Sequence, residues 1–142
     1  MKPIRPRPVP DDRSAGYWQA AASEVLAIQR CRSCRTWAHP PQACCEHCAS
    51  LELAYEPVAG TGTVHQCVIV RRTRVAGFEA TPYAAVAVEL DEQPGLLVLA
   101  NLVGTPADEA RVGQRVRLVF ERIDDELVLP QFKFLDEAEV GG

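Results

Sequence analysis

Two Cys-x-x-Cys pairs lie close together in this chain, Cys31-Arg32-Ser33-Cys34 and Cys45-Glu46-His47-Cys48, with ten residues between the inner cysteines. One tight turn sets two thiolates side by side, and two such turns facing each other complete a tetrahedron of sulfur. Zinc suits that soft, closed set better than magnesium or calcium, which take oxygen ligands. Five of the six cysteines fall within the eighteen residues from Cys31 to Cys48. Thiols of a cytoplasmic protein stay reduced, so metal explains this clustering better than disulfides do.

The expected ligands of a structural zinc are Cys31, Cys34, Cys45 and Cys48, with His39 and His47 as bystanders. Cys44 precedes Cys45 directly; Cys45 gives the usual two-residue spacing to Cys48, Cys44 gives three, and spacing alone leaves the substitution open. Knuckle turns often carry glycine after the second cysteine, where φ turns positive at no steric cost. Here those positions hold Arg35 and Ala49. The strain is about 1–2 kcal/mol per left-handed residue, small beside the roughly 10–16 kcal/mol a structural zinc supplies. Four thiolates leave no coordination position for water, so such a zinc organises structure and performs no catalysis.

The rest of the chain reads as one small barrel with an appendage. Its 142 residues are 47% apolar and 24% charged, with no apolar run of membrane-spanning length. Met1 to Pro10 holds three basic residues and four prolines but no apolar stretch of the secretory type, and a cytoplasmic location is expected. A net charge of −4 argues against a dedicated nucleic-acid binder. Residues 1–13 form a Pro-rich arm, and a short helix over Tyr17–Ser23 follows, with Asp12 or Ser14 as its N-cap. Tyr17 and Trp18 supply its contact, either with this chain's own barrel or with a second protein. Glu24 to Arg30 reads as a strand leading into the cysteines.

After the cysteines the period changes to that of strands: Leu51–Glu56, Gly62–Arg72, Tyr83–Leu90, Leu96–Leu102, Arg115–Glu121 and Leu127–Phe134, punctuated by Gly, Pro, Asp and Asn. Five or six strands in about eighty residues without βαβ spacing predict a small barrel. The expected organisation is an arm, helix and lead-in strand over 1–30, a zinc ribbon over 31–50, and a barrel domain with a C-terminal tail over 51–142. No nucleophile–base constellation stands out. Cys67 reads as a core thiol, with His65 on the same strand face. Asp124, Asp125 and Glu126 read as a turn, and Gly60-Thr61-Gly62 precedes a strand where a phosphate loop requires a helix.

Several short stretches carry a family likeness by their order and spacing. They are Tyr17-Trp18, Leu26-Ala27-Ile28-Gln29-Arg30-Cys31, Pro40-Pro41 ahead of Cys45 and Cys48, and Gly60-Thr61-Gly62-Thr63-Val64. Pro82-Tyr83, Val112-Gly113 and Leu129-Pro130-Gln131-Phe132 continue the match. From about Tyr17 to Phe134 the chain resembles the family catalogued as domain of unknown function thirty-five, a rubredoxin-like zinc ribbon followed by an OB-fold. The resemblance implies a mainly β fold: an N-terminal helix and zinc ribbon, then a five- to six-stranded OB-fold barrel. It also implies a non-catalytic accessory subunit of a thiolase-fold enzyme acting on acyl-CoA substrates as acyltransferase, thiolase or sterol side-chain retro-aldolase, in a two-plus-two hetero-oligomer. Arg71, Arg72 and Arg74 are then the candidate contacts to a CoA phosphate or to an acidic patch of the partner, weighed against a solvated loop. Tyr17 and Trp18 are candidate partner contacts. OB-folds also bind single-stranded nucleic acid through aromatics and a basic groove, a use the acidic balance of this chain disfavours.

Overall fold

The structure, a computed structural model, describes residues 6–75, 77 and 81–135. The first five residues of the Pro-rich arm and the C-terminal tail lie outside the described residues.

Helix α1 spans Ala15–Ala22. Ser14 stands at its N-cap but gives the helix no side-chain hydrogen bond. The capping is done one turn earlier. Asp11 Oδ1 accepts from the N–H groups of Arg13 (3.0 Å) and Ser14 (2.8 Å), and Ser14 Oγ accepts from the Asp11 N–H at 3.0 Å. This is a reciprocal box three residues apart. Tyr17 and Ala21, four apart, share the inward face. Gly16 lies under the Tyr55 ring, where a Cβ would sit 2.5 Å from Cδ2, and Tyr55 donates its hydroxyl to the Arg13 carbonyl. An eight-residue helix is marginal alone, so these tertiary contacts hold it.

Three antiparallel strands form the first sheet in the order β2-β1-β3, with β1 at Ala27–Cys31, β2 at Trp37–Ala38 and β3 at Leu53–Pro57. Gln29 faces Ala38 on one side and Tyr55 on the other. The segment expected at Leu51–Glu56 is therefore a strand, but it pairs with β1 and not with the barrel. Strand propensity says nothing about which edge accepts a strand; here the full register from Ala27↔Pro57 to Cys31↔Leu53 is available on β1.

The barrel consists of β4 (Thr61–Val70), β5 (Tyr83–Leu90), β6 (Leu97–Leu102), β7 (Arg115–Arg122) and β8 (Val128–Phe134), closed in the order β4-β5-β6-β8-β7. Thr61↔Arg117 to Thr63↔Arg115 close it, and Leu102↔Phe132 is its parallel pair. A single 3₁₀ turn, Ala107–Glu109, lies between β6 and β7. This is the five-stranded closed topology of an OB-fold. A bulge between Val64 and Gln66 inserts His65, so the inward parity of β4 changes from even to odd numbers. His65 is exposed and Cys67 packs toward the core. The two do not share a face, because the extra residue separates them.

One apolar core runs through both parts: Tyr17, Leu26, Ile28 and Trp37 cluster with Val64, Val86, Val88, Val98, Val116 and Phe132. Gln93, in the β5–β6 turn, holds β2 as a strand would. It accepts from the Trp37 N–H at 2.9 Å and donates to the Trp37 carbonyl at 3.0 Å. Gly62 is buried at the β4–β5 pairing, where a Cβ would press on the Glu89 carbonyl oxygen and stand 2.7 Å from Val88 Cγ1. Backbone cannot step aside there. Gly62→Ala is expected to cost about 1–3 kcal/mol in denaturant unfolding. No helix among the described residues is long and apolar enough to cross a membrane.

Candidate metal centre

The two cysteine pairs sit on turns with one repeated hydrogen-bond pattern. In the first, the Cys31 N–H donates to Thr36 O (2.9 Å) and the Arg35 N–H to Cys31 O (2.9 Å). In the second, the Cys45 N–H donates to Ser50 O (2.9 Å) and the Ala49 N–H to Cys45 O (2.8 Å). Closing each turn requires a left-handed residue after its second cysteine. Arg35 has φ 68° and Ala49 φ 63°. The two positions marked by the missing glycines therefore adopt the strained conformation without one. Backbone N–H groups of Cys34 and His47 point at the sulfurs of Cys31 (3.5 Å) and Cys45 (3.4 Å). Ser33 and Ser50 hydroxyls, 2.9 Å apart, link the two turns.

The sulfurs of Cys31, Cys34, Cys45 and Cys48 all lie within 4.8 Å of one another, with Cys31–Cys48 at 3.6 Å and Cys34–Cys45 at 3.5 Å. Zinc–sulfur bonds of about 2.3 Å make a tetrahedron with edges near ~3.8 Å, so the cluster fits one ion. Its electrostatics agree. The Cys34 N–H and lesser bonds draw the Cys31 thiol below its ordinary range, and the Thr36 hydroxyl, 3.1 Å away, does so for Cys34. For Cys48 the Ser50 N–H pulls down but is outweighed by burial and the other three sulfurs, and the thiol is pushed up. Four sulfurs this close share protons among themselves unless a cation neutralises them. A divalent ion is what allows all four to be thiolates together.

Cys44 is exposed and outside the cluster. Cys44→Ser is expected to keep one equivalent of zinc per chain by elemental analysis, and Cys45→Ser to lose it. The histidines stand apart from the sulfurs as well. His47 is exposed, while His39 packs on Tyr17 with ring centroids 5.3 Å apart, and burial lowers its pKa and keeps it neutral.

The other candidates are scattered. Arg71, Arg72 and Arg74 follow β4, all exposed, and Arg71 pairs with Asp108 at 2.7 Å. Tyr17 is 9% exposed and its ring belongs to this chain's own core; burial pushes its hydroxyl up to about 12. Trp18, half-buried against the Tyr17 ring, keeps part of its surface outward. Asp124 forms the expected turn, accepting from the Glu126 and Leu127 N–H groups at 2.9 Å each, and Arg7 of the arm reaches it at 2.6 Å. Sequence reasoning missed the Asp11 cap and the Gln93 clamp. The first had a signal, an Asp three residues ahead of a Ser; the second had none, because a lone glutamine in a turn carries no pattern.

Residues 18–54 match the family model of the ChsH2 rubredoxin-like zinc ribbon domain, and residues 55–121 that of the ChsH2 C-terminal OB-fold domain. A solved Ltp2-ChsH2(DUF35) aldolase chain superposes with a TM-score of 0.82 at 38% identity, covering 90% of this chain and 98% of that one. The chain belongs to the ChsH2 (DUF35) family. A probable enoyl-CoA hydratase alpha subunit of Thermomonospora curvata is 39% identical over 132 residues, 93% of this chain, which spans 40% of that protein's length. The ChsH2 zinc ribbon and the four-sulfur cluster agree on a structural zinc as the cofactor. The boundary between the two matched domains falls inside β3, the strand that leaves the ribbon for the barrel.

Proposed function

We propose that this chain is a non-catalytic zinc-binding OB-fold subunit of a hetero-oligomeric enzyme, with Cys31, Cys34, Cys45 and Cys48 as the zinc ligands. The partner is a thiolase-fold subunit acting on acyl-CoA substrates by making or breaking a carbon–carbon bond, in a two-plus-two assembly in the cytoplasm. The observation that carries this reading is the near-complete coverage of the ChsH2 chain of an aldolase, 98% at a TM-score of 0.82. The chain's own chemistry is consistent with it. A closed sulfur set offers no open metal position, and among the described residues no nucleophile stands beside a base oriented by a third group. Arg71, Arg72 and Arg74 offer guanidinium forks to an anionic group, a CoA phosphate or carboxylates of the partner.

Purification of the chain from its own cells, with identification of what accompanies it, tests the reading. A thiolase-fold enzyme should co-purify, and carbon–carbon cleavage of acyl-CoA substrates should require both chains. Full turnover by the isolated chain would overturn the accessory role. Co-purification with a hydratase in place of a thiolase-fold enzyme would move the chain to the chemistry of its Thermomonospora relative.

A further inference from the structure

The outer face of the barrel carries an apolar trough that neither the core nor the metal centre uses. The bulge at His65 turns Val68 outward, and it is 61% exposed; Leu99 on β6 is 78% exposed. Between these two walls β5 places only alanine, since Val68 stands opposite Ala85 and Leu99 opposite Ala87. The recess they leave has a volume of about 170 Å³. That size decides what it holds. Cofactor and small-molecule sites run to about 300–1,000 Å³, so an acyl-CoA does not fit, whereas one large apolar side chain of another protein does.

The same end of the sheet is basic. β4 runs from Val68 and Val70 into Arg71, Arg72 and Arg74, within a chain of net charge −4. Asp108 engages Arg71, but Arg72 and Arg74 are exposed and form no ion pair among the described residues. An apolar recess with such guanidinium groups a few residues further along the same chain segment is complementary to an apolar side chain with carboxylates nearby.

We infer that this trough is the docking surface for the catalytic subunit, and that its occupant is a leucine- or phenylalanine-sized side chain flanked by acidic residues. The inference rests on the accessory-subunit reading and assigns the arginines to the protein partner, not to a CoA phosphate. The recess holds a buried anchor, which limits dissociation; the arginines steer approach and fix orientation.

The test is titration of the full chain into the thiolase-fold enzyme that co-purifies with it, for wild type, Val68→Glu/Leu99→Glu and Arg72→Glu/Arg74→Glu. The first variant should bind about 30-fold or more weakly, as loss of a central anchor does. The second should associate more slowly and show a flatter dependence on salt. Zinc content and strand spectrum should be unchanged in both; if the double trough variant fails to fold, Leu99→Glu alone gives the readout. Wild type without affinity for any such enzyme would refute the accessory reading. Wild-type binding with both variants within threefold of it would overturn this surface and leave that reading intact. Loss of CoA affinity in the arginine variant, with the complex unimpaired, would overturn it too.

Discussion

Stripping the zinc with a mercurial and a chelator should release one equivalent of metal and unfold the ribbon, while the barrel strands stay paired. The ribbon has little else to hold it. Between Cys31 and Leu53 the chain makes one two-residue strand and the two knuckle turns, and Cys31, Trp37 and Cys45 are its buried hydrophobic side chains before β3. A structural zinc contributes roughly 10–16 kcal/mol, comparable to or greater than the whole net stability of an ordinary domain, about 5–15 kcal/mol. Strain at Arg35 and Ala49 adds about 1–2 kcal/mol each against the metal-free turns. The barrel is closed through Thr61↔Arg117 and needs no ribbon residue for its ladder. Hydrogen exchange should therefore lose protection at Ala27–Cys31 and Leu53–Pro57 first. The melting temperature should also fall, because Leu26, Ile28 and Trp37 leave the shared core. Unchanged exchange in the ribbon after complete zinc release would contradict this.

Phe132→Ala is expected to destabilise the protein by about 3–5 kcal/mol, the cost of emptying a large buried aromatic site. Phe132 is fully buried and stands where the barrel is most constrained. It faces Leu118 on β7 and Leu102 on β6, the parallel pair that completes the ring of strands, and its carbonyl accepts the Val103 N–H at 2.8 Å. Neighbours held in ladders on both sides cannot collapse into the vacated volume, which puts the cost toward the upper end of the range. Urea unfolding should show the loss as a shift of midpoint with little change in slope. Phe132→Leu should cost less, about 1.5 kcal/mol or under if the core repacks. A midpoint unmoved by the alanine substitution would place the core elsewhere.

The ribbon was legible in the sequence because its chemistry is local. Two residues between cysteines fix a turn, and the turn demands a left-handed residue after it, which the sequence places at Arg35 and Ala49. The barrel strands were legible from alternation, each close to its observed bounds. What alternation misses is pairing. Leu53–Pro57 has the composition of a barrel strand yet completes the ribbon sheet, because the edge of β1 takes it in register. It also misses bulges. One inserted residue at His65 reverses the facing of everything after it, separating His65 from Cys67 and bringing Val68 to the surface. Tyr17 shows a third gap, since an aromatic on a short helix reads the same whether it packs inward or waits for a partner; here its ring closes the chain's own core.

X-ray absorption at the zinc edge of the purified full-length chain tests most directly whether these four cysteines form a closed structural centre. One zinc per chain with four sulfur neighbours at about 2.3 Å is the expected result. A nitrogen or oxygen ligand in place of one sulfur, or folded protein containing no zinc, would contradict it.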